Sequence, residues 1–136
     1  MTATSDPAPN IYPCLRYKDA PAAIAWLEKA FGFKRHAVHG GPDGTVAHAQ
    51  MTHGAGMIML GSARDDFIKA SGVGIQCVYM AVADVDAHHA RAKAAGARIV
   101  RDLNDTGYGS REYCALDVEG HFWSFGTYWP KAGDPA

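Results

Sequence analysis

Apolar and polar positions follow the same pattern twice along this chain. The stretch IYPCLRYKDAPAAIAWLEKAFGFKR, from Ile11, is echoed by IQCVYMAVADVDAHHARAKAAGARIV, from Ile75. Each copy has an apolar run, an Asp, an Ala-rich stretch of helical periodicity that ends at a glycine, and a further apolar run. A solenoid needs at least about three repeats to bury its faces. Two copies therefore predict a pair of sister modules, residues 10–62 and 74–128.

The first module is predicted to have the order βαβββ. Asp19 is the expected N-cap of a helix that buries Ile24, Leu27 and Phe31 on one side, and Gly32 supplies the left-handed residue after the helix. The predicted strands are 11–17, 34–38, 45–52 and 57–62, with a hairpin turn at 40–44.

The second module repeats this order, with a helix capped by Asp84 or Asp86 and ended at Gly96. Its predicted strands are 76–82, 97–101, 110–116 and 121–128. Residues 63–73 connect the modules, and residues 102–109 form a longer loop placed to cover a site.

These elements predict an α+β fold. Two tandem βαβββ modules, with one helix outside each sheet, would form a half-open, barrel-like cleft between the inner faces. The chain of 136 residues is long enough for one domain with a sizeable core. We expect that domain at 10–129, after a loose arm at 1–9 and before a tail at 130–136.

Composition and charge indicate a globular protein without a nucleic-acid or membrane partner. Hydrophobic residues make up 48% and the net charge is −1, which gives no electrostatic attraction to polyanions. The N-terminus lacks the pattern of a signal peptide and no apolar run reaches about 18 residues, so a cytoplasmic location is expected. The cysteines have no Cys-x-x-Cys spacing and are expected to be free thiols that behave as small buried hydrophobes, namely Cys14, Cys77 and Cys114.

The strand at 45–52 offers the first candidate chemistry. Ala47, Ala49 and Met51 should pack in the core, because they alternate with His48, Gln50 and Thr52, which should face the cleft. His48 has the pKa range of a general base or a neutral hydrogen-bond donor. The alternative is a histidine that only bonds a neighbouring strand. On the strand at 57–62, Met57 and Met59 would make the cleft adaptable.

A second candidate set depends on the last hairpin. If 117–120 is a four-residue turn, Leu116 opposes His121, and Arg111 and Tyr113 share the face of Ser124. Arg111 would then favour a carboxylate or phosphate ligand, or would instead pair with Glu112 or Asp117. Flat surfaces for an aromatic ligand would come from tyrosines, which core packing also uses, at Tyr12, Tyr79 and Tyr113.

Several motifs stand beside this repeat. They are Val-Ala-Asp-Val-Asp-Ala before the second helix, Ala-Ala-Gly-Ala after it, and Tyr-Gly-Ser-Arg-Glu-Tyr and Asp-Val-Glu-Gly-His-Phe-Trp near the end. In these motifs the chain resembles the vicinal oxygen chelate superfamily, which includes glyoxalase I, bleomycin-resistance proteins and extradiol dioxygenases, and it is most similar to the small PhnB-like members. The resemblance covers about residues 10–129 and implies a homodimer. One fold of this kind hosts many chemistries.

The resemblance also implies four metal-binding positions, on the first and last strands of each module. They are occupied here by Tyr12, Gly61 (or Leu60), Cys77 and Ser124. None is a His, Gln or carboxylate, whereas an open catalytic metal site needs several N or O donors. The adjacent His88 and His89 point about 100° apart on a helix and cannot chelate one ion. We therefore predict no cofactor, with a divalent metal at a relocated site as the alternative.

The sequence also lacks a P-loop, a Gly-x-Gly-x-x-Gly fingerprint and a Gly-x-Ser-x-Gly elbow. The favoured hypothesis is a protein of this superfamily that binds a small aromatic or planar organic molecule in the cleft without a metal. The rival is an enzyme of lyase, isomerase or dioxygenase type, with a relocated metal or with His48 as the catalytic acid or base. The predicted ligand-binding residues are Tyr12, His48, Gln50, Met59, Cys77, Tyr79, Arg111, Tyr113 and Ser124.

Overall fold

The computed structural model describes residues 12–65 and 77–129 and confirms the α+β fold with two tandem βαβββ modules. The first module contains β1 (Cys14–Tyr17), α1 (Ala20–Ala30), β2 (Lys34–Gly40), β3 (Val46–His53) and β4 (Gly56–Ser62). The second contains β5 (Cys77–Ala81), α2 (Val85–Ala94), β6 (Arg98–Asp105), β7 (Arg111–Leu116) and β8 (Phe122–Gly126). The predicted arm at 1–9, the tail at 130–136 and most of the connector at 63–73 lie outside the described residues.

Each module forms an unclosed, four-stranded mixed sheet. The strand orders are β1-β4-β3-β2 and β5-β8-β7-β6, and in each sheet the first strand of the module runs parallel to its last. The chain divides into two compact units, whose described residues are 12–28 with 32–65 and 29–31 with 77–129. The last two residues of α1, Lys29 and Ala30, therefore belong to the second unit.

The predicted helix ends are confirmed. Asp19 Oδ1 accepts from the N–H of Ala22 at 3.1 Å, and Asp84 Oδ1 accepts from the N–H of Ala87 at 3.0 Å, so Asp84 is the cap of α2. Gly32 (φ 80°) and Gly96 (φ 92°) have the left-handed backbone expected after a helix.

The core of the first unit departs from the predicted alternation at one residue. Ala49 and Met51 on β3 are fully buried as predicted, but Ala47 is exposed. The pairing with β2 explains the difference, because His39 pairs with His48 while Gly40 pairs with Val46. Ala47 is therefore the extra residue of a bulge, which returns Val46 rather than Ala47 to the buried side.

Aromatic rings fill the core of the second unit. Phe31 lies 4.9 Å from Phe125 between ring centroids, and Tyr113 lies 5.0 Å from Phe125. Trp123 is also fully buried. Such rings each bury large apolar areas, so this cluster anchors α2 and the end of α1 on the sheet.

Half of the predicted loop at 102–109 belongs to a strand. β6 continues to Asp105 and pairs with β7, and only the Thr106–Ser110 segment forms a turn, closed by Thr106 N–H to Ser110 O at 2.8 Å. β6 is an edge strand with two register shifts, and an edge tolerates the polar residues that made this segment resemble a loop.

Candidate functional site

A pocket of about 180 Å³ lies in the first unit. Its lining comes from β1, β3, β4 and the residues after them, namely Cys14, Leu15, Arg16, Ala47, His48, Met59, Leu60, Gly61 and Arg64. Strand pairing sets Cys14 beside Met59 and Arg16 beside Gly61. The structure thus brings two of the predicted ligand-binding residues, His48 and Met59, to one pocket.

Gly61 permits a close approach of β4 to the bulge of β3. A Cβ at this position would lie 3.1 Å from the carbonyl oxygen of Ala47 and 3.4 Å from that of Val46. A side chain would push these backbones apart, so glycine keeps this wall of the pocket thin and lined by main chain.

The charges of the pocket are positive. Arg16 and Arg64 supply two guanidinium groups, and Arg64 Nη1 donates to the carbonyl oxygen of Ala47 at 3.3 Å. No Asp or Glu occurs among the described residues that line the pocket. A guanidinium matches the geometry of a carboxylate or phosphate with paired hydrogen bonds, so the pocket is suited to an anionic group.

His48 is held by its neighbours on the same face of the sheet. Gln50 Nε2 lies 3.3 Å from His48 Nε2, and the ring of His48 stacks on His39 with centroids 6.2 Å apart. An amide nitrogen only donates, so the Nε2 atom of His48 is the acceptor and the proton of the neutral ring is on Nδ1. Gln50 thus orients the imidazole at the pocket wall.

Sequence reasoning missed the two arginines of this pocket. Arg16 alternates with the buried Tyr17 in a strand, and this period-two signal could have placed it on the open face. Arg64 follows β4 in an irregular segment, where no periodicity reports the direction of a side chain.

Three further predicted residues lie on the sheet of the second unit. Tyr79 pairs with Ser124, and Cys77, two residues earlier on β5, pairs with Phe122. Tyr79 Oη donates to the carbonyl oxygen of Tyr128 at 2.7 Å. Partial burial, with a contribution from the nearby Glu112, raises the pKa of the Tyr79 phenol.

The predicted register of the last hairpin is wrong. Leu116 pairs with Phe122 rather than with His121, so the connection has five residues. The cause is Asp117, whose Oδ1 accepts from the N–H groups of both Glu119 and His121 at 3.0 Å. A one-residue change of register moves every side chain of a strand to the other face.

Arg111 and Tyr113 therefore do not share the face of Ser124. Tyr113 pairs with Phe125 and is fully buried. Its hydroxyl lies 2.6 Å from His88 Nδ1 on α2, and His88 Nε2 lies 3.1 Å from the carbonyl oxygen of Phe31. Since a carbonyl only accepts, His88 Nε2 carries the proton and Tyr113 donates to Nδ1. Burial raises the pKa of Tyr113.

Arg111 has other ion-pair partners than predicted. It pairs with Asp86 at 3.0 Å and with Asp105 at 3.2 Å, and not with Glu112 or Asp117. The hydrogen bonds from Arg111 lower the pKa of Asp86, and the same bonds raise the pKa of Arg111. The partners come from α2 and β6 because the corrected register turns Arg111 toward the helix side of the sheet.

The expected burial of the free thiols is wrong for two of them. Cys14 and Cys77 are exposed, and Cys114 is buried. Tyr12 lies just before β1, and its carbonyl oxygen is 3.7 Å from Cys14 Sγ. Cys14 and Cys77 lie on β1 and β5, which are edge strands that pair with a neighbour on one side only. Their side chains are therefore less covered than that of Cys114 on the inner strand β7.

The strand pairing also corrects the alignment of the two modules. Cys14 and Tyr79 are equivalent, because each lies five residues before the Asp that caps the helix of its module. Cys14 pairs with Met59 and Tyr79 pairs with Ser124, so Ser124 corresponds to Met59 and not to Gly61. The predicted equivalence of Gly61 and Ser124 comes from counting forward from the glycine of each hairpin turn. The two turns differ in length, and only hydrogen-bonded pairing fixes equivalent positions.

The metal implied by the resemblance does not fit these strands under either alignment. The strands β1, β4, β5 and β8 read CLRY, GMIMLGS, CVYMA and FWSFG, without a His, Asp, Glu, Asn or Gln. Hard and borderline divalent ions need such N and O donors. Within residues 12–65 and 77–129, moreover, no three His, Cys, Asp or Glu side chains are grouped to hold an ion.

Glu112 on β7 is a further residue of interest, which the sequence suggested only as an ion-pair partner for Arg111. It is buried, and Tyr108 Oη donates to its Oε2 at 2.8 Å. This bond raises the pKa of Tyr108. The repeat could have pointed to Glu112. Cys114 on β7 is equivalent to Gln50 on β3, so Glu112, two residues earlier, takes the strand position that His48 has on β3.

No helix in the described part of the chain is long and apolar enough to span a membrane. The homodimer stays a prediction.

Comparison with known proteins places these features in a family. The model of the Glyoxalase/Bleomycin resistance protein/Dioxygenase superfamily matches residues 11–125. An uncharacterized protein of Mycobacterium bovis is 33% identical, over 87% of this chain and 82% of its own length.

Solved structures agree. TioX from Micromonospora sp. ML1 is 34% identical with a TM-score of 0.74, and the match covers 90% of this chain and 98% of TioX. Glyoxalase I from Zea mays is 18% identical with a TM-score of 0.70, over 88% of this chain and 44% of that chain. At the latter identity the likeness shows the fold alone.

Proposed function

We propose a binding function for this chain, which belongs to the Glyoxalase/Bleomycin resistance protein/Dioxygenase superfamily. The protein binds a small, planar organic anion without covalent chemistry, and the pocket of the first unit is the binding site. The observation that carries this proposal is that two guanidinium groups, from Arg16 and Arg64, line the same pocket as the apolar side chains of Met59 and Leu60.

Size supports a ligand of about one ring. A cavity of roughly 150 Å³ lined by apolar groups is known to accommodate benzene, and this pocket measures about 180 Å³. Met59 and Leu60 provide the apolar contact, and the polarizable thioether of Met59 adapts to aromatic rings. Guanidinium groups stack on aromatic faces as well as pairing with anions. A benzoate-like molecule satisfies both demands.

The first test is a titration of the protein with benzoate and with the uncharged benzyl alcohol, followed by calorimetry. We expect benzoate to bind at least about tenfold more tightly, because it alone gains charge-assisted hydrogen bonds. Arg16→Gln and Arg64→Gln should each weaken benzoate binding by roughly three- to tenfold. The affinity for benzyl alcohol should change little.

Arg98→Gln is the matched control, because it removes the same charge from an exposed position on β6. Its affinity for benzoate should stay within about twofold of the wild type. Equal affinities for benzoate and benzyl alcohol, or an equal loss in Arg98→Gln, would reject a site built around the two pocket arginines.

A second candidate function is an enzyme that uses His48 as acid or base. The observation that favours it is the contact between His48 Nε2 and Gln50, which orients the imidazole at the pocket. This contact occupies the one acceptor nitrogen of the neutral ring, so His48 would act as a base only when Gln50 releases Nε2. A general base must lie within hydrogen-bond reach of the proton that it removes, and His48 lines the pocket where such a proton would lie.

His48→Ala separates the two functions. If His48 is the base, the wild type should exchange an acidic C–H of a bound carboxylate, phenylpyruvate, for deuterium in D₂O, and the variant should lose this activity by at least about a hundredfold. A binding protein shows no exchange above the buffer rate in either form, and the variant loses only part of its affinity. Proton NMR of the ligand measures both outcomes.

A further inference from the structure

A buried carboxylate without a cationic partner lies in the second unit, remote in sequence from the pocket arginines. Glu112 is 7% exposed. Its carboxylate accepts a hydrogen bond at Oε2 from the hydroxyl of Tyr108 at 2.8 Å. In the described residues no Lys or Arg forms an ion pair with Glu112, and the nearby Arg101 donates to Asn104 Oδ1 instead. A buried charge is costly unless an opposite charge or several hydrogen bonds compensate it.

Tyrosine side chains lie beside this carboxylate. Tyr108, from the loop between β6 and β7, and Tyr128, after β8, are 65% and 54% exposed, and their rings meet edge to face with centroids 6.0 Å apart. Tyr79 is joined to Tyr128 by a hydrogen bond from its hydroxyl to the carbonyl oxygen at 2.7 Å. Tyr108 thus contacts the carboxylate directly, and Tyr128 extends this group of rings through its contacts with Tyr108 and Tyr79.

Gly126 makes this arrangement possible. A Cβ on Gly126 would lie 2.7 Å from both Glu112 Cγ and Tyr79 Oη, closer than real contacts allow. Because glycine occupies the position, the carboxylate and the phenol of Tyr79 approach each other over bare backbone. Both phenols next to Glu112, those of Tyr79 and Tyr108, have raised pKa values and stay protonated beside it.

We infer that Glu112, with Tyr79, Tyr108 and Tyr128, forms a second ligand site that takes an organic ammonium cation. An ammonium ligand supplies the positive counter-charge that no Lys or Arg of the described residues gives to Glu112. The exposed ring faces attract the same cation through their quadrupoles. Cation–π contacts with the exposed rings and a buried counter-ion together favour a quaternary or bulky ammonium over a metal ion, because within the described residues Glu112 belongs to no group of three His, Cys, Asp or Glu side chains that could hold a metal.

The test is a calorimetric titration of the full chain with benzyltrimethylammonium chloride, and with benzyl alcohol as the uncharged analogue. We expect the cation to bind at least about tenfold more tightly than the alcohol. Glu112→Gln keeps an acceptor for the Tyr108 hydroxyl but removes the charge, and should weaken cation binding by at least about tenfold. Tyr128→Leu removes an exposed ring face and should weaken it by about threefold.

Glu119→Gln is the matched control, because it removes the same charge from an exposed turn, and Arg16→Gln tests independence from the anion pocket. Both should bind the ammonium probe within about twofold of the wild type. Unchanged affinity in Glu112→Gln, or equal binding of the cation and the alcohol, overturns the inference. If Glu112→Gln lost its native circular dichroism, Tyr128→Leu would decide, since unchanged affinity in that surface variant also overturns it.

Discussion

Asp117→Ala is expected to lower the free energy of unfolding by about 3 kcal/mol, the largest loss that we predict for a single polar side chain. The buried carboxylate of Asp117 accepts from the backbone N–H groups of Glu119 and His121, each at 3.0 Å, and from Trp123 Nε1 at 3.0 Å. Alanine would remove the carboxylate that accepts from the buried indole N–H of Trp123, and the loss of one partner of a buried hydrogen bond costs about 1–3 kcal/mol by itself.

Urea unfolding followed by circular dichroism measures the loss, and thermal unfolding should show a midpoint lower by about 10 °C. Asp117→Asn should lose less stability than Asp117→Ala, because its carbonyl oxygen still accepts from the N–H groups of the turn. Some loss should remain, because its NH₂ group cannot accept from Trp123. Glu119→Ala, an exposed neighbour in the same turn, serves as the control and should change stability by less than about 0.5 kcal/mol. A loss below about 1 kcal/mol in Asp117→Ala would show that the turn forms without this carboxylate.

Tyr113→Phe is expected to lower the free energy of unfolding by about 2 kcal/mol at neutral pH. The hydroxyl of Tyr113 donates to His88 Nδ1 at 2.6 Å inside the core. His88 Nε2 already bonds the carbonyl oxygen of Phe31, so the ring cannot turn to recover a partner without losing that bond. Phenylalanine keeps the packing on Phe125 and removes only the donor.

The same substitution has a signature at alkaline pH. Burial raises the pKa of Tyr113 above the ordinary value of 10.0. The unfolded chain therefore loses this proton at a lower pH than the folded protein, and the stability that Tyr113 contributes is fully present below pH 10.0 and is lost as the pH rises above it. Tyr113→Phe has no such proton, so its stability should fall less steeply than that of the wild type above pH 10.0.

Urea midpoints at a series of pH values test this prediction. Tyr128→Phe removes an exposed hydroxyl and should follow the wild-type curve. Parallel curves for the wild type and Tyr113→Phe above pH 10.0 would show that the folded and unfolded states bind this proton equally, contrary to the buried hydrogen bond.

The features that the sequence predicted well are local. The caps Asp19 and Asp84 and the glycines that end both helices were predicted correctly, because a cap is decided by side chains within a few residues of the helix end. The two βαβββ modules were also predicted from local signals, because the apolar periodicity and the Asp and Gly at the helix ends occur twice along the chain.

The features that failed depend on register. Asp117 lengthened a hairpin by one residue and moved Arg111 and Tyr113 to the other face, and a bulge exposed Ala47. Neither change has a signal in hydrophobic alternation, because each depends on which backbone groups pair across strands that are distant in sequence.

The sequence by itself determined the fold class, the two modules, the helix ends and the lack of metal donors on the four strands where the resemblance implies them. The tertiary structure decided which side chains meet: Arg16 and Arg64 at one pocket, Tyr113 and His88 in the core, and Glu112 beneath Tyr108. The physical reason is that local preferences act between neighbours in the chain, whereas a site is made by contacts that only strand pairing and packing bring within reach.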